Sequence, residues 1–265
     1  MNKNIIIFFF IALTFFSCKK DVDTEAIVSA AQDYAYADAY IQEIFKIVDE
    51  ASKNEPAVYK LSTLDCATIT LIDTSGTFPK TLNIDYGLVN CIGSDGRRRR
   101  GMIKVIYNDS YSNPGSIINV NFENFFINDF GVFNPIIIAN TGNIVQQQHK
   151  LSFADLRFHS ASDGRSIKLN GYRIFTLIDG DATQAADDDI FSVQGSFSGT
   201  ARSGSGISAT IAEALQLKYS CRSYLSGTAN VKITDNDGLF NYGLGECDDN
   251  ASVIIDGREY YIRLE

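Results

Sequence analysis

The sequence predicts an all-β protein: an antiparallel multi-hairpin sheet or sandwich over residues 56–265, with one long N-terminal α-helix packed on it. Three observations support this prediction. Apolar residues recur every three or four positions through residues 24–54, which is the period of one helix face. The chain after Pro56 consists of short runs rich in Ile, Val, Thr and aromatic residues, which favour strands. Asp-Gly pairs, which supply the positive φ angles of tight hairpins, separate several of these runs.

Residues 1–17 have the organisation of an export signal. Lys3 precedes about a dozen apolar residues, too few to span a bilayer, which takes about 20 residues. Ser17 and Cys18 follow, and a small residue before a cysteine is the pattern of lipoprotein processing. The segment resembles a bacterial lipobox, except that Phe15 stands where Leu is usual. We therefore expect cleavage after Ser17 and a lipid on Cys18. Ordinary secretion and an uncleaved signal anchor are the alternatives.

A lipidated Cys18 would anchor the chain to a membrane without spanning it. Residues 18–23 then form a short tether, and its Lys19-Lys20-Asp21 resembles the surface-export signal of Bacteroidota lipoproteins. A solvated tether without that role is the alternative. The expected location is the outer membrane, through the lipid anchor, with the domain either exposed at the cell surface or held in the periplasm.

The helix is predicted from Thr24, with Asp23 or Thr24 as its N-cap. Neither Pro nor Gly interrupts it, and thirty residues would extend about 45 Å. Its apolar positions form one stripe, so we expect that stripe to pack against the β domain.

Strands are predicted at eleven places in the remaining chain. They are residues 80–86, 102–107, 117–122, 136–138, 144–151, 167–177, 194–200, 215–221, 228–234, 252–255 and 259–264. Tight turns are expected at the Asp-Gly pairs that begin at Asp95, Asp163 and Asp256, and longer hairpin loops at residues 140–143 and 235–238.

Four cysteines remain in the mature chain: Cys66, Cys91, Cys221 and Cys247. Four cysteines allow three pairings. The first two are 25 positions apart and the last two 26, which favours the pairs Cys66–Cys91 and Cys221–Cys247. A zinc site is the alternative, but the sequence has no Cys-x-x-Cys spacing for it.

The two cysteine pairs belong to an internal repeat. Residues 84–91 and 240–247 share the pattern x-(Asp/Asn)-Tyr-Gly-Leu-x-x-Cys, and an Asp-Gly-Arg follows each. We interpret this as one disulfide-linked hairpin unit that occurs twice.

Three stretches, residues 85–101, 113–116 and 242–251, resemble a family of uncharacterised Bacteroidota lipoproteins. They carry its Asp-Gly-Arg-x-Arg-x-Gly, Asn-Pro-Gly-Ser and Tyr-Gly-x-Gly-x-Cys-Asp-Asn motifs. The resemblance covers most of the mature chain. It implies an exported β-rich protein and no activity, substrate or catalytic residue.

Enzyme motifs are absent: there is no phosphate loop, no His-Glu-x-x-His and no Gly-x-Ser-x-Gly. The two histidines, His149 and His159, are ten positions apart, and we interpret them as polar residues of the sheet surface, with a metal pair on neighbouring strands as the alternative. No catalytic residue is assigned.

The strongest metal candidate is an acidic stretch formed by Asp179, Asp181, Asp187, Asp188 and Asp189. Calcium prefers six to eight oxygen ligands, so clustered carboxylates on a loop would suit it. The spacing matches no EF-hand, and a solvated hairpin loop is the alternative. No other cofactor is expected.

The four consecutive arginines Arg97–Arg100 have two possible interpretations. Successive residues of a strand point to opposite faces. We therefore expect one pair of arginines in solvent and the other pair over the opposite face of the sheet, where it meets acids. Anion recognition is the alternative.

The net charge of −9 argues against nucleic acid as a partner.

These observations predict a cell-envelope lipoprotein with a non-catalytic binding or structural role. A sheet face or loops would contact a glycan or a protein, with exposed Tyr and Phe stacking on the ligand. The competing hypothesis is a hydrolase that acts on envelope or external polymers through carboxylates of the 179–189 loop.

Overall fold

The computed structural model describes residues 24–53, 64–72, 76–180 and 186–264. Within these ranges the chain forms one helix, α1 (Thr24–Lys53), and fifteen strands. The strands are β1 (Thr68–Leu71), β2 (Lys80–Asp85), β3 (Cys91–Ile92), β4 (Arg98–Tyr107), β5 (Ile117–Ile127), β6 (Phe130–Phe133), β7 (Ile136–Asn140), β8 (Gln148–Ser160), β9 (Ser166–Asp179), β10 (Ile190–Thr200), β11 (Gly206–Lys218), β12 (Ser226–Ile233), β13 (Asn236–Leu244), β14 (Asn250–Ile255) and β15 (Arg258–Arg263). The predicted class, all-β with an N-terminal helix, is confirmed.

All the strands belong to one antiparallel sheet, not to a two-sheet sandwich. Their order is β1-β2-β4-β5-β6-β8-β9-β10-β11-β12-β13-β14-β15, with β3 beside β4. The short strands β6 and β7 share one position between β5 and β8. They are separated by Asn134, which has a φ of 70°, and by Pro135, which has no N–H to donate to a ladder.

Bulges interrupt several of the longest strands. The register of β4 against β5 shifts between Arg100 and Met102, and at this point Gly101 has a φ of 82°. A Cβ at Gly101 would lie 2.0 Å from the backbone oxygen of Asn124, so only glycine fits. Strands β8, β10 and β12 carry similar shifts. Because bulges bend strands and increase twist, a sheet with many of them curves strongly.

The curved sheet encloses α1. Every residue from Ala37 to Ala51 is buried, which is four consecutive turns with no exposed side. The apolar stripe packs against the sheet, as predicted. The other sides of the helix are buried as well, and the buried polar residues of α1 are Asp33, Asp38, Gln42, Glu43, Lys46, Asp49 and Glu50.

Arginines from the surrounding sheet pair with the buried acids of α1. The pairs are Asp33 with Arg202 (2.7 Å), Asp38 with Arg173 (2.9 Å), and Glu43 with Arg97 (2.6 Å) and Arg99. The three acids are five residues apart, so each points about 140° from the last around the helix axis and lies about 7.5 Å further along it. Contacts in three directions at three depths fix both the rotation and the position of α1.

The arginine run has the alternation that was predicted. Arg97 and Arg99 are buried against Glu43, whereas Arg98 forms a solvent-exposed pair with Asp129. The Arg100 guanidinium lies over the Phe126 ring, 3.7 Å from its centre. Structural pairing accounts for all four side chains.

The disulfides Cys66–Cys91 and Cys221–Cys247 are both present, with Cα–Cα distances of 6.2 and 5.4 Å. The two disulfide-linked units meet beside α1. The Arg97 guanidinium, which follows the first unit, donates to the backbone oxygen of Arg222 in the second at 3.1 Å. Lys46 of α1 donates to the backbone oxygen of Cys221 at 2.9 Å.

The two copies of the internal repeat share three local features. Tyr86 and Tyr242 are buried. The glycine that follows each has a positive φ, 79° at Gly87 and 103° at Gly243. The next residue in each copy, a leucine, is exposed. The repeat therefore preserves the buried tyrosine, the positive φ and the exposed leucine, although residues 86–90 lie outside any strand and residues 241–244 belong to β13.

The strand predictions differ from the structure at several places. Strands β1, β3 and β6 were not predicted, and the strand predicted at 215–221 is the end of β11, which begins at Gly206. The predicted strand at 144–151 begins only at Gln148, because residues 141–147 form a loop. Strand β13 was missed, because residues 235–238 were predicted as a loop. The turn is instead at Thr234 and Asp235, between the paired residues Ile233 and Asn236, and Thr234 adopts a φ of 54°.

Across the described ranges, no helix is long and apolar enough to cross a membrane.

Candidate binding cavity at the C-terminal end of the helix

A cavity of about 750 Å³ opens at the C-terminal end of α1. Lys53 at the end of the helix lines it, with Tyr111 and Ser112 from the β4–β5 loop, Asn140, His149, residues 143–147 of the β7–β8 loop and residues 177–179 of β9. Three separate parts of the sheet and the helix end therefore contribute walls. The volume lies in the range of small-molecule binding sites.

Asp49 organises the floor beneath the cavity. It is fully buried, and its carboxylate accepts hydrogen bonds from Tyr111 (2.6 Å), Tyr219 and Gln147 (3.3 Å). Lys53, one turn later on α1, lies 2.9 Å from it. Burial raises the pKa of Asp49, but Lys53, His149 and the two tyrosines outweigh burial and hold the pKa below its usual value. Asp49 is therefore a fixed anion that ties the helix end to two loops.

Lys53 is shared between two carboxylates. Its ammonium lies 2.9 Å from Asp49 and 3.1 Å from Asp189, the residue before β10. Burial lowers its pKa, but the two acids raise it more, so that the net shift is upward. A cation also suits the last turn of a helix, where the backbone carbonyls face outward. The positive charge of Lys53 is thus matched within the protein.

His149 forms part of the inner wall. It lies on β8 between Asn140 of β7 and Phe175 of β9, is only 1% exposed, and stacks on the Tyr111 ring at 4.5 Å. Neither ring nitrogen has a hydrogen-bond partner among the described residues, and both are buried. The backbone oxygen of Tyr111 is near, but it already accepts from Asn140 (3.1 Å) and Ser116 (3.2 Å).

The β7–β8 loop forms a projecting lip. The Asn143 side-chain oxygen accepts from the backbone N–H groups of Val145 (2.8 Å) and Gln146 (3.0 Å), which turns the chain sharply. The turn leaves Ile144 97% and Val145 87% exposed. Gly142 is required here, because a Cβ would lie 2.4 Å from the Gln146 backbone oxygen. The lip therefore presents two apolar side chains in a defined geometry at the cavity mouth.

The described residues of the acidic stretch do not form a group that could hold a metal ion. Asp179 is exposed at the cavity rim, Asp187 and Asp188 lie in a 3₁₀ turn (Ala186–Asp188), and Asp189 pairs with Lys53. Asp181 lies outside the described residues. Across the ranges that the structure describes, no group of three or more His, Cys, Asp or Glu side chains is placed to hold a metal ion. Calcium binding by this stretch stays a prediction.

The interpretation of the histidines was wrong in two respects. His149 is a buried residue, not a surface residue, because the ring inserts between Tyr111 and Phe45. His149 and His159 lie on the same strand, not on neighbouring strands. His159 is half-buried, and its Nδ1 is 3.0 Å from the Ser166 hydroxyl.

The sequence did not point to Asp49, Lys53, Tyr111 or Tyr219. A charged pair one turn apart on a helix is common on solvated surfaces, so Asp49 and Lys53 gave no signal. Tyr111 and Tyr219 are 108 positions apart, and both donate a hydrogen bond to Asp49.

Cys18, the predicted lipidation site, lies outside the described residues.

The outer face of the sheet has few aromatic side chains. Among the described residues, the large aromatic side chains that are clearly exposed are Phe78, Phe133 and Tyr261. They belong to β6, β15 and the segment before β2, which are far apart in the strand order. The clearly exposed rings of the described residues therefore do not form one platform, and the cavity is the stronger candidate site.

Comparison of the chain with protein-family models, curated proteins and solved structures finds no match.

Proposed function

We propose that the protein is a lipid-anchored lipoprotein of the outer membrane that binds a ligand, without catalysis, in the cavity at the C-terminal end of α1. The observation that carries this proposal is the cavity itself, whose walls come from the helix end, the β4–β5 and β7–β8 loops and strand β9. A cavity that is already open favours binding, because little conformational freedom is lost when a ligand enters. The apolar lip of Ile144 and Val145 adds a contact surface at the mouth.

The position of the anchor supports this role. Cys18 precedes the start of α1 by six residues, so the lipid would be attached at the N-terminal end of the helix. The cavity is at the other end, about 45 Å away along the axis. A short tether at one end would leave the cavity end free to meet a ligand, at the cell surface or in the periplasm.

The competing hypothesis of a hydrolase has less support in the site. A general acid or base must reach the substrate and be free to exchange a proton. Asp189 is held by Lys53, and Asp49 is fully buried under Tyr111 and Tyr219. Burial does raise the pKa of Asp189, which makes it the carboxyl group to test. Under our proposal, an Asp189→Asn variant still binds ligand, and the ligand is recovered intact.

Filling the cavity is expected to abolish binding. In a Ser112→Trp variant of the lipidated chain, the indole would occupy the space at the mouth, and we expect at least a tenfold loss of affinity. Ser203→Trp is the matched control, because Ser203 is an exposed residue of the β10–β11 hairpin, near Asp33 at the other end of α1. Binding to a library of oligosaccharides and short peptides would be measured. Equal binding by both variants would rule out the cavity.

Replacing Cys18 with Ala is expected to release the protein from membranes. The acyl chains provide the hydrophobic contact with the bilayer, and α1 and the sheet are expected to fold as before. Membrane and soluble fractions of cells that produce each form would be compared by immunoblot. A Cys18→Ala protein that stays in the membrane fraction contradicts the lipid anchor.

Protease treatment of intact cells, with a periplasmic protein as the leakage control, then separates surface exposure from a periplasmic location.

A further inference from the structure

The cavity at the C-terminal end of α1 carries a net negative charge. Lys53 and Asp179 are the charged side chains among its described lining residues. Asp49 and Asp189 lie beside Lys53 and both pair with it. One cation therefore meets three carboxylates, which gives a net charge of −2 around the cavity. If Asp189 were protonated, the balance would still be negative.

Two of these carboxylates lie on the side of the cavity where β9 meets β10. Asp179 is paired in register with Ile190, and Asp189 directly precedes Ile190. Gly180 packs on Asp189, because a Cβ there would lie 2.6 Å from the Asp189 Oδ1 atom. Across the described ranges no salt bridge holds Asp179, whose carboxylate accepts from the Gly180 N–H at 2.9 Å. Lys218 follows beyond Ile190 in the register and does not line the cavity.

Lys53 determines where in the cavity a cation can bind. Its ammonium lies between Asp49 and Asp189, so a second cation at that wall would be repelled. An anion at the same wall would have to replace one of the two carboxylates. Asp179 at the exposed rim can attract a cation without either cost. The net charge of the chain, −9, adds to that attraction at longer range.

The aliphatic lip of the cavity lies close to Asp179. The Leu177 backbone N–H donates to the Gln147 backbone oxygen at 3.0 Å, which joins β9 to the β7–β8 loop. Asp179 follows Leu177 by two residues and Val145 precedes Gln147 by two, so each is at most about 7 Å of chain from that hydrogen bond. Ile144 and Val145 are both exposed there. A carboxylate and an aliphatic surface therefore lie within reach of one short side chain.

We infer that the cavity binds an aliphatic cation, a short hydrocarbon chain that ends in an ammonium group, with the hydrocarbon on the lip of Ile144 and Val145 and the ammonium beside Asp179. This inference rests on the proposed function, because it assumes that the cavity is the binding site. A lysine side chain of a peptide and a free alkylamine share this chemistry. Neutral and anionic molecules of the same shape bind more weakly.

The test compares ligands that differ only in the group at the end of the chain. The mature, lipidated protein in a non-ionic detergent is titrated by calorimetry with the N-acetyl amide of lysine, with its counterpart that carries a hydroxyl in place of the ammonium, and with its counterpart that carries a carboxylate. We expect the lysine derivative to bind about fivefold more tightly than the hydroxyl counterpart, the upper value for an exposed ion pair. Added salt is expected to weaken binding of the lysine derivative and not that of the hydroxyl counterpart.

Asp179→Asn removes the carboxylate at the rim and keeps its shape. We expect this variant to lose about fivefold in affinity for the lysine derivative and to bind the hydroxyl counterpart as before. Asp179→Glu is expected to retain the preference for the cation. Asp237→Asn is the matched control, because Asp237 is an exposed carboxylate of β13, near the β10–β11 hairpin at the other end of α1. We expect it to bind both derivatives as the unaltered chain does.

A parallel titration with pentylamine distinguishes the two sources of the cation. Pentylamine that binds as tightly as the lysine derivative supports a free alkylamine as the ligand. Weaker binding of pentylamine supports a lysine side chain, whose flanking amides then add contacts. Both results support the inference.

The remaining outcomes separate the inference from the proposed function. If the hydroxyl or carboxylate counterpart binds as tightly as the lysine derivative, or if Asp179→Asn binds the lysine derivative unchanged, the inference is wrong. The proposed function survives both results when Ser112→Trp still blocks binding. If neither the lysine derivative nor pentylamine binds, the inference is again wrong, and another ligand blocked by Ser112→Trp would preserve the proposed function.

Discussion

Replacing Glu43 with Gln is expected to lower the free energy of unfolding by about 3–5 kcal/mol, the usual cost of removing one partner of a buried ion pair. Glu43 is fully buried and bonds both Arg97, at 2.6 Å, and Arg99. Without the carboxylate, the two guanidinium groups remain buried and lose the negative charge that balanced theirs. Arg99 keeps Asp95, and Arg97 keeps the backbone oxygen of Arg222.

Asp129→Asn is the matched control, because it removes one acid from the exposed pair with Arg98, on the same strand. Exposed pairs contribute at most about 1 kcal/mol. Urea unfolding would be followed by near-ultraviolet circular dichroism of the tyrosines, since the chain has 13 of them and no tryptophan. Similar losses in both variants would contradict the role assigned to Glu43. If Glu43→Gln does not fold, replacing Glu43, Arg97 and Arg99 together by Leu is expected to restore folding.

The same carboxylate predicts how stability depends on pH. Burial raises the pKa of Glu43, but Arg99, Arg97 and Lys46 outweigh it and lower the pKa to about 2. A group whose pKa is lower in the folded state stabilises the fold above its unfolded value and loses that contribution as the pH falls. We expect the protein to lose stability between the ordinary Glu value of 4.5 and about 2. Urea unfolding at several pH values should show a smaller loss for Glu43→Gln over that interval.

The position of α1 could be predicted from sequence, but its enclosure could not. Periodicity identifies the face that is apolar. It says nothing about the other face, whose acids look like solvated residues until their partners are known. Those partners are distant in sequence: Arg173 is 135 positions from Asp38, and Arg202 is 169 positions from Asp33. The alternation of buried and exposed side chains from Arg97 to Arg100 could be predicted, because successive residues of a strand point to opposite faces. It predicted buried arginines but not which acid they meet.

The cavity could not be predicted for a similar reason. Its walls come from loops whose proximity depends on the order and curvature of the strands. Local sequence indicated the hairpins, and it placed His149 in a strand segment. It did not indicate that Tyr111 would cover the ring or that Lys53 would lie opposite. The disulfide pairs were predictable because the four cysteines fall into two distant pairs of nearly equal spacing, 25 and 26 positions.

Removing the second disulfide, by replacing Cys221 and Cys247 with Ala, is expected to cost about 3.5 kcal/mol from chain entropy alone. The loop that it closes spans 26 residues, and the first disulfide closes 25. Loop length therefore predicts nearly equal effects. The structure predicts inequality, because the second unit also holds α1: Lys46 bonds the Cys221 backbone oxygen, and Gln42 and Arg97 bond that of Arg222.

Urea unfolding of the two double variants, Cys221→Ala/Cys247→Ala and Cys66→Ala/Cys91→Ala, tests this difference. Non-reducing peptide mapping of the unaltered chain comes first, since crossed pairs would contradict both the repeat and the contact between the units. We expect the second disulfide to cost the larger amount, because its loss also frees the backbone oxygens that receive three side chains, two of them from the enclosed helix. If the two double variants lose equal amounts, chain entropy alone accounts for both disulfides. The contacts of Lys46, Gln42 and Arg97 with the second unit would then depend on the sheet rather than on the disulfide.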